Sequence, residues 1–333
     1  MSRRRPDGVH VFYGHDRVPG AGEPVAGGTA KFQRLATRFP NDRDFNVLYL
    51  GSTWLPRDLR PLLWLARRRR AAVVLNQNGI AYPGWAGQAT GELNRPIHRA
   101  LLAADHVLYQ GEFCKRSADL FVGEPAAEWE VLYNAVDVDR FAPGEPPDPS
   151  RPIVLLYGDQ TQAYRLELAL RVFARLRDAH PDALLVVTGR LVSDPWPLLA
   201  ELRIAEAVEF VGRYAQTDAP ALLRRAHVLL HTKVNDPCPS SVIEAMACGI
   251  PVVYPASGGT VELVGDDAGI GVPHPESWER DEPPAPEALA AAVEDVLRER
   301  VTYARAARER AVSRFALEPW LDRHAELFAA LAG

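Results

Sequence analysis

The chain has 333 residues, room for two domains of ordinary size, and its 47% hydrophobic and 24% charged residues match a soluble globular composition. A net charge of −5 offers no general attraction for nucleic acid. No apolar run reaches the roughly 18 residues of a membrane span, and the start MSRRRPDGVHVFYG lacks the apolar core of a secretory signal, so the cytoplasm is the expected compartment.

In chain order, strands are predicted at 9–13, 45–50, 71–75, 106–109 and 129–133, with helices at about 57–70, 91–103 and 112–121. Such alternation builds a parallel, doubly wound sheet. Residues 142–152, APGEPPDPSRP, are too rich in Pro and Gly for regular structure and read as an interdomain linker. The alternation then restarts, with strands at 153–157, 183–188, 207–211, 227–231 and 251–254 and helices at 163–179, 196–204, 217–226 and 241–248. A Pro-rich loop at 273–286 precedes helical stretches at 287–299, 301–314 and 318–331. The expected fold class is α/β, with two Rossmann-like halves at 1–145 and 152–315 and a final segment at 316–333. Cys114, Cys238 and Cys248 are widely spaced, which argues for free thiols over a disulfide framework or a CxxC metal site.

The most informative stretch is 235–264, NDPCPSSVIEAMACGIPVVYPASGGTVELV. Pro237 and Pro239 end the preceding apolar run, Ser240 or Ser241 can cap a helix, and the helix continues to Gly249. The first N–H groups of a helix lack intrahelical partners and carry the positive end of its dipole. The amides of Ser240, Ser241 and Val242 therefore form a ready diphosphate site. Glu244, one turn in, can accept hydrogen bonds from vicinal ribose hydroxyls, and Asp236 on the loop can meet hydroxyls of a sugar. After the strand, Ser257-Gly258-Gly259-Thr260 forms a second turn whose glycines let backbone approach a ligand.

This stretch resembles the donor-site motif of retaining GT-B glycosyltransferases, family 4 in particular, in which an acidic residue, seven others and a Glu lead into a run like EAMACGIPVV. Gly27-Gly28 near the N-terminus, NAVDVDRFAP at 134–143 and FVGRY at 210–214 extend the resemblance along most of the chain. It implies two Rossmann-like domains facing a cleft, an acceptor-side half and a nucleotide-sugar half, and a last helix that returns to the first domain. It implies transfer of a hexose-like sugar from a nucleotide-sugar donor to a hydroxyl-type acceptor with retention. The donor is then a substrate, and no cofactor or bound metal is expected. Glu244 would hold the ribose, Asp236 the sugar, and Arg213 and Tyr214 would lie near the base. A donor phosphate oxygen would take the acceptor proton on the same face, with no protein nucleophile. Cys238 has no His beside it in sequence and is not read as one.

One departure stands out at 157–165, YGDQTQAYR. Similar enzymes carry Gly-Arg and, five residues later, Lys; here those positions hold Asp159 and Tyr164. Arg165 is the first candidate to compensate, followed by Arg190, Arg213 and Lys233. The alternative function is a non-catalytic relative that binds a nucleotide sugar or supports a partner subunit.

In the first half, Gly27 and Gly28 could offer amides to the donor phosphates or the acceptor, with Lys31 adding charge or merely solvated. Asn78, in the loop Asn76-Gln77-Asn78-Gly79 after a strand, is either a substrate contact or part of an Asn-Gly turn. Tyr82 and Trp85 could stack on a sugar. The family's loop histidine is absent here. Glu112 either caps its helix or meets ligand. The basic, apolar segment 57–70 either lies on an anionic membrane surface, as suits a lipid-linked acceptor, or packs on the sheet with a solvated arginine end. Glycans and small molecules are the other acceptor classes.

Overall fold

Parallel strands buried on both faces read as unbroken apolar runs, and Val47-Leu48-Tyr49-Leu50 is one: every residue of the strand Val47–Gly51 is buried. The computed structural model describes residues 8–20, 23 and 28–333. The chain falls into two units, one comprising the chain up to Ala135 with 278–280 and 317–333, the other 136–277 with 281–316. The Pro- and Gly-rich stretch 142–152 thus lies inside the second unit.

The first unit holds strands β1 (Val11–Phe12), β2 (Val47–Gly51), β3 (Ala72–Gln77), β4 (His106–Tyr109) and β5 (Glu128–Val131), all parallel and in sequential order. The helix Leu59–Arg69 buries Leu59, Leu63 and Ala66 against Leu48, Leu50 and Leu75. The sheet therefore takes the apolar stripe that could have met a membrane, and only Trp64, 58% exposed with Arg68 stacked over its ring, projects outward. On the other face pack Phe32 and Leu35 of the helix Ala30–Arg38 with Trp320, Leu321 and Phe328 of the helix Leu317–Ala332. Trp278, inside the stretch read as a Pro-rich loop, joins this unit. Its ring stacks on Phe113 at 5.3 Å and meets Tyr82 and Phe121 edge-on, while its carbonyl accepts from Gly84 N at 2.7 Å.

His324 is fully buried in the first unit. The Trp320 carbonyl can only accept, so His324 Nδ1, at 2.8 Å, carries the proton and Nε2 accepts from Tyr49 OH at 3.2 Å. Burial lowers its pKa to about 4, below the ordinary 6.5. The unfolded chain therefore binds the proton first as pH falls. The stability linked to this group is present above about 6.5 and is lost as pH drops toward 4. Urea unfolding should show wild type losing about 2 kcal/mol more than His324→Gln between about pH 7 and about pH 5. Equal losses in the two proteins would contradict a neutral buried imidazole.

The second unit holds β6 (Ile153–Leu156), β7 (Leu184–Thr188), β8 (Val208–Gly212), β9 (Val228–Leu230), β10 (Val252–Pro255) and β11 (Gly269–Val272). The order is β11-β10-β9-β6-β7-β8, all parallel. Leu166, Leu170 and Phe173 of the helix Ala163–Ala179 and Leu289, Val293 and Val296 of the helix Pro286–Arg298 cover the sheet. Strand β11 was not anticipated, because GIGV has weak strand propensity. Its glycines are there for close approach: a Cβ on Gly269 would stand 2.0 Å from Val252 O. Among the described residues, no helix is long and apolar enough to cross a membrane.

Candidate functional site

The second sheet runs outward from β6 through β7 to β8, then resumes on the other side of β6 with β9. Between β6 and β9 the winding reverses. Loops leaving the carboxyl ends of two such strands diverge and open a crevice for ligand. The loops here are 157–162 and 231–239, which brings the two segments singled out in sequence to one place.

Asp236 sits on the second loop with its side chain 13% exposed. Lys233 Nζ donates to Oδ1 at 2.9 Å and His231 Nε2 lies 3.2 Å from Oδ2. Burial by itself would raise its pKa, but Lys233 and His231 outweigh that and hold the carboxyl well below the usual carboxylate range. The backbone is pinned as firmly. Asn235 is left-handed, with φ 50, donates its N–H to Ser257 Oγ at 3.1 Å and its Nδ2 to Ser277 O at 2.9 Å. Gly259 N donates to Asp236 O at 2.8 Å. Cβ atoms on Gly258 and Gly259 would stand 2.6 Å from Asp236 N and 1.8 Å from Pro237 O. The Gly259 amide is therefore spent on Asp236 and not on a ligand, and the Gly258-Gly259-Thr260 turn buttresses the Asp236 loop. Thr260 is fully buried.

Glu244 lies in the helix Ser240–Ala247 and is 6% exposed. Tyr157 OH donates to its Oε2 at 3.2 Å, and Gln216 Nε2 is 3.5 Å from Oε1. Burial, and then the charge of Glu244, keeps the Tyr157 phenol well above its ordinary pKa, so the proton stays available to the carboxylate. The Tyr157 ring stacks on Tyr214 with centroids 5.4 Å apart. Neither Tyr157 nor Gln216 was picked out in sequence. Their signal is only that each follows a strand end, and the stacking joins strands far apart in the chain. Pro239, not a serine, stands at the N-cap, with no side-chain cap. Val242 N is already bonded to Pro239 O at 3.1 Å, which removes it from the expected phosphate donors. The N–H groups of Ser240 and Ser241 have no partner among the described residues.

Arg165, at the start of the helix Ala163–Ala179, is 6% exposed. Its Nη1 donates to Asp159 O at 3.0 Å and its Nε has no partner among the described residues. Burial lowers its pKa against the pull of Asp236, Tyr164 and Asp159. Tyr164 OH accepts from Val234 N at 3.1 Å. Asp159 Oδ1 accepts from the backbone N–H of Arg190 at 2.8 Å, while the Arg190 side chain is 58% exposed with its Nε 4.0 Å from Asp159 Oδ2. Arg213 is exposed after the edge strand β8.

In the first unit, Gly27 lies outside the described residues. A Cβ on Gly28 would stand 2.5 Å from Thr53 Oγ1. Lys31 is 2% exposed and donates to Asn76 Oδ1 at 2.6 Å, so the expected solvated or phosphate-facing lysine is a core cation. The expectation of a direct role for Asn78 is also revised. Its Oδ1 accepts from Ser52 Oγ at 2.8 Å and its Nδ2 donates to Thr53 Oγ1 at 2.7 Å, spending the carboxamide on loop geometry. Glu112 begins the helix Glu112–Phe121. Tyr82 is buried, while Trp85 is 53% exposed. Among the described residues no group of three or more His, Cys, Asp or Glu could hold a metal ion.

The family described as "Glycosyl transferases group 1" matches the chain over residues 137–313. Glycogen synthase of Mycobacterium tuberculosis (strain ATCC 25618 / H37Rv) is 27% identical over 241 residues, covering 69% of this chain and 56% of that protein. The chain thus spans about half the length of the curated relatives it matches. Sucrose-phosphate synthase from Thermosynechococcus elongatus superposes with a TM-score of 0.70 at 18% identity, over 90% of this chain and 76% of that one. HepE from Anabaena in complex with UDP-glucose gives 0.68 at 19% identity, over 90% and 81%.

Proposed function

The chain belongs to the glycosyl transferases group 1 family and has the GT-B fold, and on that premise we propose that it transfers a hexose-like sugar from a nucleotide-sugar donor to a hydroxyl-type acceptor, with retention and without a bound metal. One observation carries the reading: Glu244, held by Tyr157, stands one turn inside a helix whose Ser240 and Ser241 N–H groups are unpartnered, at the point where the sheet reverses. A carboxylate acceptor for ribose and two amide donors for phosphate are then spaced along one nucleotide. Asp236, kept ionised by Lys233 and His231, accepts from hydroxyls of the transferred sugar. Tyr214 lies toward the base, and Arg165 adds positive charge near the diphosphate.

The retaining course has the acceptor hydroxyl attack the anomeric carbon on the face the diphosphate leaves. A phosphate oxygen takes the proton, and the glycosidic bond electrons pass to that diphosphate. No protein group forms a bond to the sugar. The UDP-glucose complex of the Anabaena relative supports a nucleotide-sugar donor. Arg60, Trp64, Arg67 and Arg68 on the exposed side of the helix Leu59–Arg69 support peripheral contact with an anionic membrane surface at the cytoplasmic face, where a lipid-linked acceptor would be met.

The test incubates the protein in EDTA with UDP-, GDP-, dTDP- and ADP-sugars and an acceptor pool from its own cell extract, following both nucleotide release and product. Release of one nucleotide with a glycosylated product of retained configuration is expected. Turnover that requires added Mg²⁺ or Mn²⁺ would overturn metal independence. Asp159 and Tyr164, which stand where the resemblance implies two cations, favour the second reading, a nucleotide-sugar binder without transfer. Binding with neither transfer nor donor hydrolysis would select it.

A further inference from the structure

We propose that Lys233 is the cation that meets the donor diphosphate, taking the place of the charges absent at Asp159 and Tyr164; this rests on the nucleotide-sugar reading above. Two unpartnered amides at a helix start do not neutralise a diphosphate, so side-chain charge must come from a neighbouring loop. Arg190 follows β7, on the opposite side of β6 from β9, with its side chain 58% exposed and its Nε 4.0 Å from Asp159 Oδ2, and Arg213 is exposed beyond the edge of the sheet, two strands from β6. Arg165 is 6% exposed, with Nη1 on the Asp159 carbonyl and Nε unpartnered among the described residues, so it contributes charge from within the fold.

Lys233 differs from all three. It follows β9 at the reversal point, keeps 29% of its side chain exposed, and ends 2.9 Å from Asp236 Oδ1. An ammonium has three donors on a flexible stem, so one bond to Asp236 leaves two for phosphate oxygens. The same ammonium then touches the carboxylate read as sugar-binding and the phosphate that bears the sugar. Tyr164 fits this arrangement as a strut. Its hydroxyl accepts from Val234 N, the residue after Lys233, and so ties the start of the helix Ala163–Ala179 to the loop that carries the ammonium.

Isothermal titration of the whole protein with UDP, GDP and ADP, and with UMP, GMP and AMP, tests the assignment. For whichever base wild type binds, Lys233→Ala should lose about tenfold or more in diphosphate affinity and less than about threefold in monophosphate affinity, and Lys233→Arg should restore most of the loss. Asp236→Asn distinguishes direct from indirect action. If Lys233 meets phosphate itself, the Asn variant keeps or gains diphosphate affinity, because the ammonium is freed. If Lys233 only positions Asp236, the Asn variant copies the Lys233→Ala loss and the assignment is overturned. Equal losses on the two nucleotide classes, or none, overturn it as well. A wild type that binds no nucleoside diphosphate would remove the donor reading itself and this assignment with it.

Discussion

Glu244→Gln should lower nucleoside diphosphate affinity about 100-fold while leaving the thermal midpoint nearly unchanged. Hydrogen bonds to a charged acceptor contribute about 1.5–3 kcal/mol each, and two vicinal ribose hydroxyls share this carboxylate, so a net loss near 3 kcal/mol is reasonable. Gln is the informative change because the side chain is buried. Its carbonyl still accepts from Tyr157 OH, whereas Ala would strand that hydroxyl and cost about 1–3 kcal/mol of stability unrelated to ligand. A 2′-deoxynucleoside diphosphate supplies the internal control. Wild type should discriminate against it, and the Gln variant should not. Undiminished affinity in Glu244→Gln, or discrimination that survives the change, would remove Glu244 from the ribose and with it the orientation of the whole donor.

What was legible in sequence was what local chemistry writes. Pro237, Pro239 and Gly249 bracket the helix that carries Glu244, and the restarted strand-helix alternation gave the second sheet all its strands but one. The exception, β11, shows the limit: Gly269 and Gly271 look like loop residues until Val252 O and the Tyr254 ring are seen against them. Side-chain partners were harder to read, because they come from far along the chain. Asn78 resembles a ligand contact only until Ser52 and Thr53 take both ends of its carboxamide, and Lys31 resembles a surface lysine until its Nζ is seen donating to Asn76 Oδ1. The helix Leu59–Arg69 posed a different ambiguity. An apolar stripe with a basic end suits a membrane or a sheet equally, and only the burial of Leu59, Leu63 and Ala66 decides which partner holds the stripe.

Gly259→Ala should lower turnover by about 100-fold. The backbone of Gly259 is ordinary, with φ −74, so the penalty is not conformational strain at the glycine. It is steric: the new methyl would stand 1.8 Å from the Pro237 carbonyl oxygen, a backbone atom that can retreat only if the Asp236 loop moves. That loop is bonded to Gly259 N through Asp236 O, to Ser257 through Asn235 N, and to Tyr164 through Val234 N, so displacing it loosens several contacts together. Overpacking of this kind costs about 1–3 kcal/mol of stability. The functional loss should exceed that share, because a carboxylate moved by about 1 Å no longer meets the sugar in the reacting geometry, a displacement that can cost about 100-fold. Glu244 stands on the neighbouring helix with its own support from Tyr157, so nucleoside diphosphate affinity should fall much less than turnover. The measurement is kcat together with the affinities for nucleotide and nucleotide sugar in folded Gly259→Ala. Wild-type turnover in that variant would mean that the Asp236 loop adjusts freely, and that the sugar is positioned by residues other than Asp236.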